Sequence, residues 1–281
     1  MWFSEKALVF VDTRSAALAV YRQGFSGPRL ERFAFERFGS RAAPAAPFSD
    51  VLAGSSDAVA RLARDLRAPF RDATLLLPLG ASFPSIVDAL ASRQGAATEV
   101  EETDLVRFRL APLLPFPIAS SEVRTERSLS IRRGAVLAQA ILKATITEGE
   151  RVMSSIGFGR PHVTSALSAA LRGLPPRLGT VDLVFGDSAC AIAVRDPLGA
   201  IEAIHLRLLV DGDDRAQRSI DEALRATAEA REIRVLGEDA ASLRGKARDS
   251  VVSPAFDEPA RGTADPQQFP FLSVFHERSA K

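Results

Sequence analysis

The sequence predicts an α/β fold built from two related halves, with a small inserted subdomain. The first observation is a repeat: LVFVDTRSAALAV, at residues 8–20, returns as LVFGDSACAIAV at residues 183–194. Each copy is an apolar run, a short turn with an aspartate, and a run of alternating apolar and small residues, which is typical of a β-hairpin. The second observation is the order after the first hairpin: a strand, a helix and another strand. Two such halves would face each other, with their turns pointing into one cleft.

Composition places the chain among ordinary globular proteins. Its 281 residues are 46% hydrophobic and 25% charged, enough for one large domain or two lobes. Lys and Arg number 36 against 35 Asp and Glu, so no net field would attract nucleic acid or anionic lipid. We interpret the scattered arginines as a solvated surface. Because the apolar stretches are shorter than the roughly 20 residues that cross a bilayer, we expect a cytoplasmic protein without direct membrane insertion.

The reactive side chains do not form a catalytic or metal-binding pattern. Cys190 is the single cysteine, which excludes an internal disulfide and fits a small core residue in a reducing compartment. The three histidines, His162, His205 and His276, lie in unrelated segments. His205 falls in the alternating run IEAIHLRLLV and is expected to be a half-buried strand residue. We therefore predict no catalytic residue and no metal site.

The first half is expected to span residues 1–81. Alternation in PRLERFAFERF, residues 28–38, predicts a third strand, and GSRAAPAAPFSD after it is linker-like. SSDAVARLARDLRAPF predicts a helix with Ser55 or Ser56 as its cap and apolar residues at helical spacing. DATLLLPLG then predicts a buried strand that ends at a proline.

Residues 82–132 are expected to form the inserted subdomain. SFPSIVDALASRQG predicts a short helix, and EVEETDLVRFRLAPLLPFP a second helix that is acid-capped and ended by prolines. IASSEVRTERSLSIRR alternates as a strand with charge on one face.

The remaining chain returns to the main fold. Residues 133–177 are expected to complete the first half and cross over, with a strand in GAVLAQAILKA, a helix stopped by Gly157, a short strand and an Ala-rich helix. Residues 178–243 would form the second half, with the repeated hairpin, a third strand, a helix in DDRAQRSIDEALRATAEA and a strand in REIRVLGEDA. Residues 244–281 are polar and broken by Pro and Gly, so we expect a loosely ordered segment. Its apolar end, FPFLSVFHE, would dock back onto the body or, alternatively, bind a partner.

Two strand–turn–strand–strand units, each followed by a helix and a strand, resemble the actin-like (ribonuclease H-like) ATPase fold of actin, sugar kinases and Hsp70. The middle of the chain is more specific. LLLP at 75–78 is followed by Pro-Phe-Pro at 115–117, a charged strand, a VLAQAI strand and a helix ending in IGFGRP. That order, over residues 7–240, is similar to the pilus-assembly protein PilM and to the cytoplasmic part of its type II secretion counterpart, GspL.

This resemblance implies a cytoplasmic scaffold of a type IV pilus or type II secretion platform, peripheral to the inner membrane through a partner. PilM-like proteins hold the cytoplasmic peptide of a bitopic inner-membrane protein, PilN, in a groove beside the inserted subdomain. A PilN-like partner is therefore expected, and a homo-oligomer is left open. The residues expected to line the groove, each of which could instead belong to the core of the insert, are Leu79, Phe83, Leu113, Leu114, Phe116 and Ile118.

The resemblance also implies ATP with magnesium between the halves, but this chain departs from the required pattern. A polyphosphate between two turns needs close backbone approach, which usually demands glycine, and an aspartate for the metal. Arginine stands at the glycine position of the first turn, the second turn reverses the usual Asp-Gly order, and one glycine remains of a Gly-Gly turn. We expect a degenerate site and no cofactor. The candidate nucleotide residues are Asp12, Thr13, Arg14, Ser15, Gly186, Asp187, Ser188 and Gly237.

Two other functions are compatible with the same fold. An ATP-dependent enzyme or switch with an intact site between the halves would lose its Mg-ATP affinity on Asp12→Ala or Asp187→Ala. A degenerate FtsA-like polymerising protein is the third hypothesis, and the absence of an amphipathic C-terminal membrane helix counts against it.

Overall fold

The computed structural model describes residues 4–24, 27–38, 48–89, 99–127, 129, 131–159, 161–209, 221, 232–237, 245–247, 250–255 and 269–275. Within them the strands form a five-stranded, a six-stranded and a three-stranded sheet. Also within this part, no helix is long and apolar enough to cross a membrane.

The five-stranded sheet forms the body of the first half. Its strands are β1 (Glu5–Val11), β2 (Ser15–Gly24), β3 (Gly27–Arg37), β4 (Ala73–Leu77) and β8 (His162–Ser165). Their order is β3-β2-β1-β4-β8, with an antiparallel meander of the first three and parallel pairing of β4 and β8. On one face the alternating apolar residues of β1 pack against two helices, α1 (Phe48–Asp65) and α3 (Lys143–Ile156).

The six-stranded sheet of the second half repeats that plan. Its strands are β9 (Thr180–Phe185), β10 (Ala189–Arg195), β11 (Ile201–Leu208), β12 (Glu232–Leu236), β13 (Gly245–Ala247) and β14 (Ser250–Pro254). The order β11-β10-β9-β12 matches β3-β2-β1-β4, again a meander followed by a parallel strand. The predicted duplication is confirmed.

Two expectations for the second half have different outcomes. The loosely ordered segment predicted after residue 244 is wrong in its described part, because β14 pairs parallel with β12 and β13 pairs antiparallel with β14. Backbone hydrogen bonds to an existing sheet therefore order a stretch that composition alone marked as polar linker. The helix expected at residues 213–230 lies outside the described residues, apart from Asp221, which is helical.

The inserted subdomain is a three-stranded antiparallel sheet with a helix. Its elements are β5 (Ser82–Asp88), α2 (Glu99–Leu110), β6 (Ser121–Glu126) and β7 (Ala135–Leu142), with the strand order β5-β7-β6. Val106 and Leu110 bury one side of α2 against the sheet. The strand that was expected to rejoin the main sheet, β7, is instead the middle strand of the insert, so the insert extends past residue 132.

The helix predicted from residue 82 is also wrong. The segment SFPSIVD forms β5, an edge strand, and pairs with β7 along its length. Pro84 lies in the middle of this strand, where a missing N–H is tolerated because the strand is at the edge of its sheet.

The helix boundaries were predicted with mixed success. α1 spans Phe48–Asp65, so Ser55 and Ser56 lie inside it and are not caps. Their hydroxyls donate to the carbonyls of Leu52 and Ala53, both at 2.9 Å. The predicted stop of α3 is confirmed, since Gly157 has φ +110°.

A short helix lies between the halves, and the chain's last described segment packs on it. α4 (Ala166–Gly173) is capped by the Ser165 hydroxyl and packs against both large sheets. Residues 269–275 lie on it and on the first sheet: the Phe271 ring is 4.9 Å from Phe10, and the Ser273 hydroxyl donates to the Ala170 carbonyl at 2.8 Å. A Cβ at Gly173 would come within 2.1 Å of the Ser273 backbone, so glycine is required there. The predicted docking of this apolar segment is confirmed.

Not all arginines are solvated, which corrects the surface interpretation. Asp182 is fully buried, and it accepts from Arg195 at 2.7 Å and from Arg234 at 2.6 Å. The two guanidinium groups also donate to the carbonyls of Gly199 and Pro175. Burial lowers the pKa of Arg234, an effect that Asp182 opposes. Removing Asp182 would leave two buried cations uncompensated, which makes this triad a structural element of the second sheet.

Candidate functional site

The two predicted turns meet between the large sheets. The Asp187 N–H donates to Oδ2 of Asp12 at 3.2 Å, and the Arg14 N–H donates to Oδ2 of Asp187 at 2.9 Å. The Thr13 hydroxyl donates to the same Asp187 oxygen at 3.5 Å. Each aspartate thus accepts a backbone hydrogen bond from the turn of the other half. We refer to Asp12, Thr13, Arg14 and Asp187 as the aspartate clasp.

The two turns are closed by equivalent backbone hydrogen bonds. The residues that match in these hydrogen bonds are not the ones that match in the sequence repeat. In the first, the Asp12 N–H donates to the Ser15 carbonyl at 2.8 Å; in the second, the Gly186 N–H donates to the Ala189 carbonyl at 2.8 Å. The flanking strand pairs agree, Val11 with Ala16 and Phe185 with Cys190. The structural equivalent of Asp12 is therefore Gly186, and not Asp187 as the letters suggest.

This offset allows the two aspartates to lie side by side. A Cβ at Gly186 would stand 3.3 Å from Oδ2 of Asp12, so the glycine provides space for that carboxyl group. Asp187, one position further along its turn, points back to the first turn. The apparent reversal of the Asp-Gly order in the second turn thus has a structural consequence: it puts one carboxyl on each side of the contact between the halves.

Asp12 is the more buried of the pair, with 2% of its surface exposed. Burial and the neighbouring charge of Asp187 raise the pKa of Asp12 to about 7, against the hydrogen bonds from the Thr13 and Asp187 amides, which lower it. The Thr13 N–H donates to Oδ1 of Asp12 at 2.8 Å.

Little space is left beside the clasp. A cavity of about 20 Å³ touches Asp12 and Gly186. It is otherwise walled by apolar residues of both halves, of α4 and of the docked segment: Phe10, Leu79, Ala166, Ala170, Val184, Phe185, Pro270 and Phe271. A cavity needs roughly 10–15 Å³ to hold one water molecule, so this one is of water size.

The other nucleotide candidates lie around the clasp. Ser15 begins β2, and Ser188 faces Gly80, where a Cβ would stand 3.2 Å from the serine hydroxyl. Gly237 has φ +122°, and a Cβ there would stand 2.6 Å from the Phe185 carbonyl oxygen. Close packing of Gly237 on the end of β9 is therefore a sufficient reason for glycine at this position.

A second concave region, of about 410 Å³, lies between the first half and the inserted subdomain. We refer to it as the insert groove. The rings of Phe83 and Phe116 meet edge to face at 6.0 Å within its lining. The residues that line the insert groove are mostly apolar: Phe48, Gly80, Ala81, Ser82, Phe83, Phe116, Ala140, Leu142, Ala144 and Thr145.

The predicted groove residues separate into four groups. Phe83 and Phe116 line the insert groove, while Leu114 and Ile118 pack against the core of the inserted subdomain and Leu113 is 54% exposed elsewhere. Leu79 was wrongly placed in the groove. It is buried against α4 and the second sheet, because the 3₁₀ turn at Leu79–Ala81 directs it between the halves.

The histidines and the cysteine contribute no cluster. In the described part of the chain, no group of three His, Cys, Asp or Glu side chains could hold a metal ion. Cys190 is buried, as predicted. Nε2 of His162, which lies on β8, is 3.3 Å from Nη1 of Arg124. His205 is exposed and not half-buried, since its side of β11 is uncovered. His276 lies outside the described residues.

No sequence-family profile and no curated protein sequence matches this chain. Solved structures do match it. A chain of the PilM–PilN type IV pilus biogenesis complex superposes with a TM-score of 0.61 and 15% identity, covering 98% of this chain and 97% of that one. The cytoplasmic domain of EpsL, an inner-membrane component of the type II secretion system of Vibrio cholerae, gives 0.54 and 10%, covering 89% and 90%. A Bacteroides thetaiotaomicron protein of unknown function with an actin-like ATPase fold gives 0.53 and 6%, covering 83% and 82%. The chain therefore has the actin-like ATPase fold in a PilM/GspL-like form, with two related halves and an inserted subdomain.

Proposed function

We propose that this chain is a cytoplasmic scaffold of a type IV pilus or type II secretion inner-membrane platform. Its work would be to bind the cytoplasmic peptide of a PilN-like bitopic membrane protein, and through that protein it would be held at the inner membrane. The observation that carries the proposal is the insert groove, an open apolar trough in a chain whose fold matches the PilM–PilN complex over nearly its whole length.

The groove has the size and lining of a peptide site. Its volume lies within the ~300–1,000 Å³ range of ligand pockets, and its walls are aromatic and aliphatic. Leu142 is 37% exposed at its edge and continues the apolar lining. Apolar anchor side chains of a bound peptide would be buried against Phe83, Phe116 and Leu142.

The mode of binding is constrained by β5. A peptide that extended the inserted sheet along this edge would pair with the N–H groups of alternate residues of β5, and Pro84 has no N–H. The peptide is therefore held chiefly by side-chain anchors in the groove, and not by continuous strand addition.

A matched pair of substitutions, each of which introduces one carboxylate on α3, tests the proposal. Ala144 is exposed at the groove on α3, and Thr147 is exposed one turn further along the same helix, outside the lining. A144E places a carboxylate where an apolar anchor would lie, whereas T147E adds the same charge to the same helix. Calorimetric titration with the N-terminal cytoplasmic peptide of the PilN-like protein from the same organism should show affinity at least about 10-fold weaker for A144E than for wild type.

T147E should bind as the wild type does. The proposal is contradicted if wild type binds no such peptide, or if A144E and T147E bind it equally well. Circular dichroism of both variants provides the check that the fold is unchanged.

A further inference from the structure

We propose that the aspartate clasp replaces a bound nucleotide as the link between the two halves. A polyphosphate that bridges two hairpin turns does so by accepting hydrogen bonds from the backbone N–H groups of both. In this chain the N–H groups of Thr13, Arg14 and Asp187 already donate to carboxylate oxygens, at 2.8, 2.9 and 3.2 Å. The carboxyl groups of Asp12 and Asp187 thus act as the acceptors that a bound phosphate would otherwise supply.

The bridging is reciprocal, which distinguishes it from ordinary turn capping. Asp12 of the first half holds the amide of Asp187, and Asp187 of the second half holds the amide of Arg14 and the hydroxyl of Thr13. Neither turn can move away from the other without releasing hydrogen bonds on both sides. Two turns that a ligand would have to join are joined by their own side chains.

The clasp is closely surrounded by other protein groups. The cavity beside the clasp holds about 20 Å³, and Pro270 and Phe271 of the docked segment form part of its wall. On another side Gly80 lies against Ser188, so close that a Cβ would be 3.2 Å from its hydroxyl. A polyphosphate would have to displace the carboxyl oxygens that already accept from the amides of both turns.

Other contacts between the halves are consistent with a permanently closed arrangement. Ile131 bridges to Ile201, and the Arg132 N–H donates to the Ile201 carbonyl at 3.2 Å, which ties the inserted region to β11. α4 packs against the second sheet, and the docked segment covers α4 and the first sheet on the side of Phe10. In the part of the chain that the structure describes, protein groups therefore connect the first half with the second at several places.

Amide hydrogen exchange resolved by residue tests the inference, with the wild type, D187A and D12A. In the wild type, the amides of Thr13, Arg14 and Asp187 should exchange slower than in an unstructured peptide by about 100-fold or more. D187A should accelerate exchange of the Arg14 amide. The exchange rates of the amides at Thr13 and at position 187 should stay within a few-fold of their wild-type values. D12A should do the opposite, accelerating Thr13 and Asp187 and sparing Arg14. A loss of stability alone would accelerate all three amides together.

The same measurement with millimolar MgATP should leave the wild-type rates unchanged. Fast exchange at these amides in the wild type, equal acceleration in both variants, or slowing of the three amides by MgATP would each overturn the inference. If D12A does not fold, the wild type and D187A still decide it. Peptide binding in the insert groove does not enter this test, so the clasp and the scaffold role can fail separately.

Discussion

The cleft between the halves and the insert groove are both concave, yet they differ in almost every physical property. In the cleft, a cavity of about 20 Å³ adjoins the contact between the halves, where carboxyl oxygens of Asp12 and Asp187 accept hydrogen bonds from backbone donors of both turns. The groove offers about 410 Å³ with an apolar lining and a partly exposed leucine at its edge. The two regions therefore differ in what they offer a ligand: the described part of the cleft offers polar groups that are already hydrogen-bonded, and the groove offers an open apolar surface. We propose that binding takes place in the groove.

The largest expected effect sharpens this comparison on the side of the cleft. Phe271 is 1% exposed and packs on Phe10 beside the clasp. F271A should lower the free energy of unfolding by about 3–5 kcal/mol, because a buried aromatic ring is lost and a cavity is left. Urea denaturation gives the value. F108A, which removes a ring that is 78% exposed, should change the stability by less than about 0.5 kcal/mol. Equal effects would mean that Phe271 is not buried beside the clasp as described.

A smaller effect follows from the raised pKa of Asp12. Its carboxyl has an ordinary pKa of 3.8 and a folded pKa of about 7, so the folded state holds an extra proton between these pH values. The contribution of this group to the free energy of unfolding is therefore fully present below pH 3.8. It is lost as the pH rises from 3.8 to about 7, by about 4 kcal/mol in total. D12N cannot titrate, so the free energy of unfolding of the wild type relative to D12N should fall from pH 4 to pH 7.

The control for this pH effect is an exposed aspartate. Asp57 lies on the solvent side of α1, and D57N should change the free energy of unfolding by less than about 0.5 kcal/mol. A difference between wild type and D12N that is independent of pH would show that burial and Asp187 do not control Asp12 as described.

The sequence predicted the architecture well because strand meanders leave a clear signal. The alternation of LVFVDTRSAALAV and its repeat specified two hairpins, and both were found. The register between them was not predictable from matched letters, since Asp12 aligns with Asp187 in sequence but with Gly186 in the turn hydrogen bonds. The sequence repeat shows which residues recur, but only the backbone pairing of the strands shows which residue closes each turn.

The sites were harder to predict because they depend on distant pairings. Phe48 and Leu142 both line the insert groove, but nothing local connects residues so far apart in sequence. Phe83 and Phe116 were found through the resemblance, and Leu79 was misplaced because one 3₁₀ turn decides which side it faces. The docking of Pro270 and Phe271 beside Asp12 likewise had no signal in the sequence beyond an apolar run.

The central claim, that the groove binds and the cleft does not, is tested most directly by one titration. The PilN-like peptide is titrated into the wild-type protein with and without millimolar MgATP, and the two dissociation constants are compared. We predict binding with the same dissociation constant in both, because a ligand with no site in the cleft cannot be coupled to the groove. Absence of peptide binding, or an affinity that changes when MgATP is added, would contradict the account.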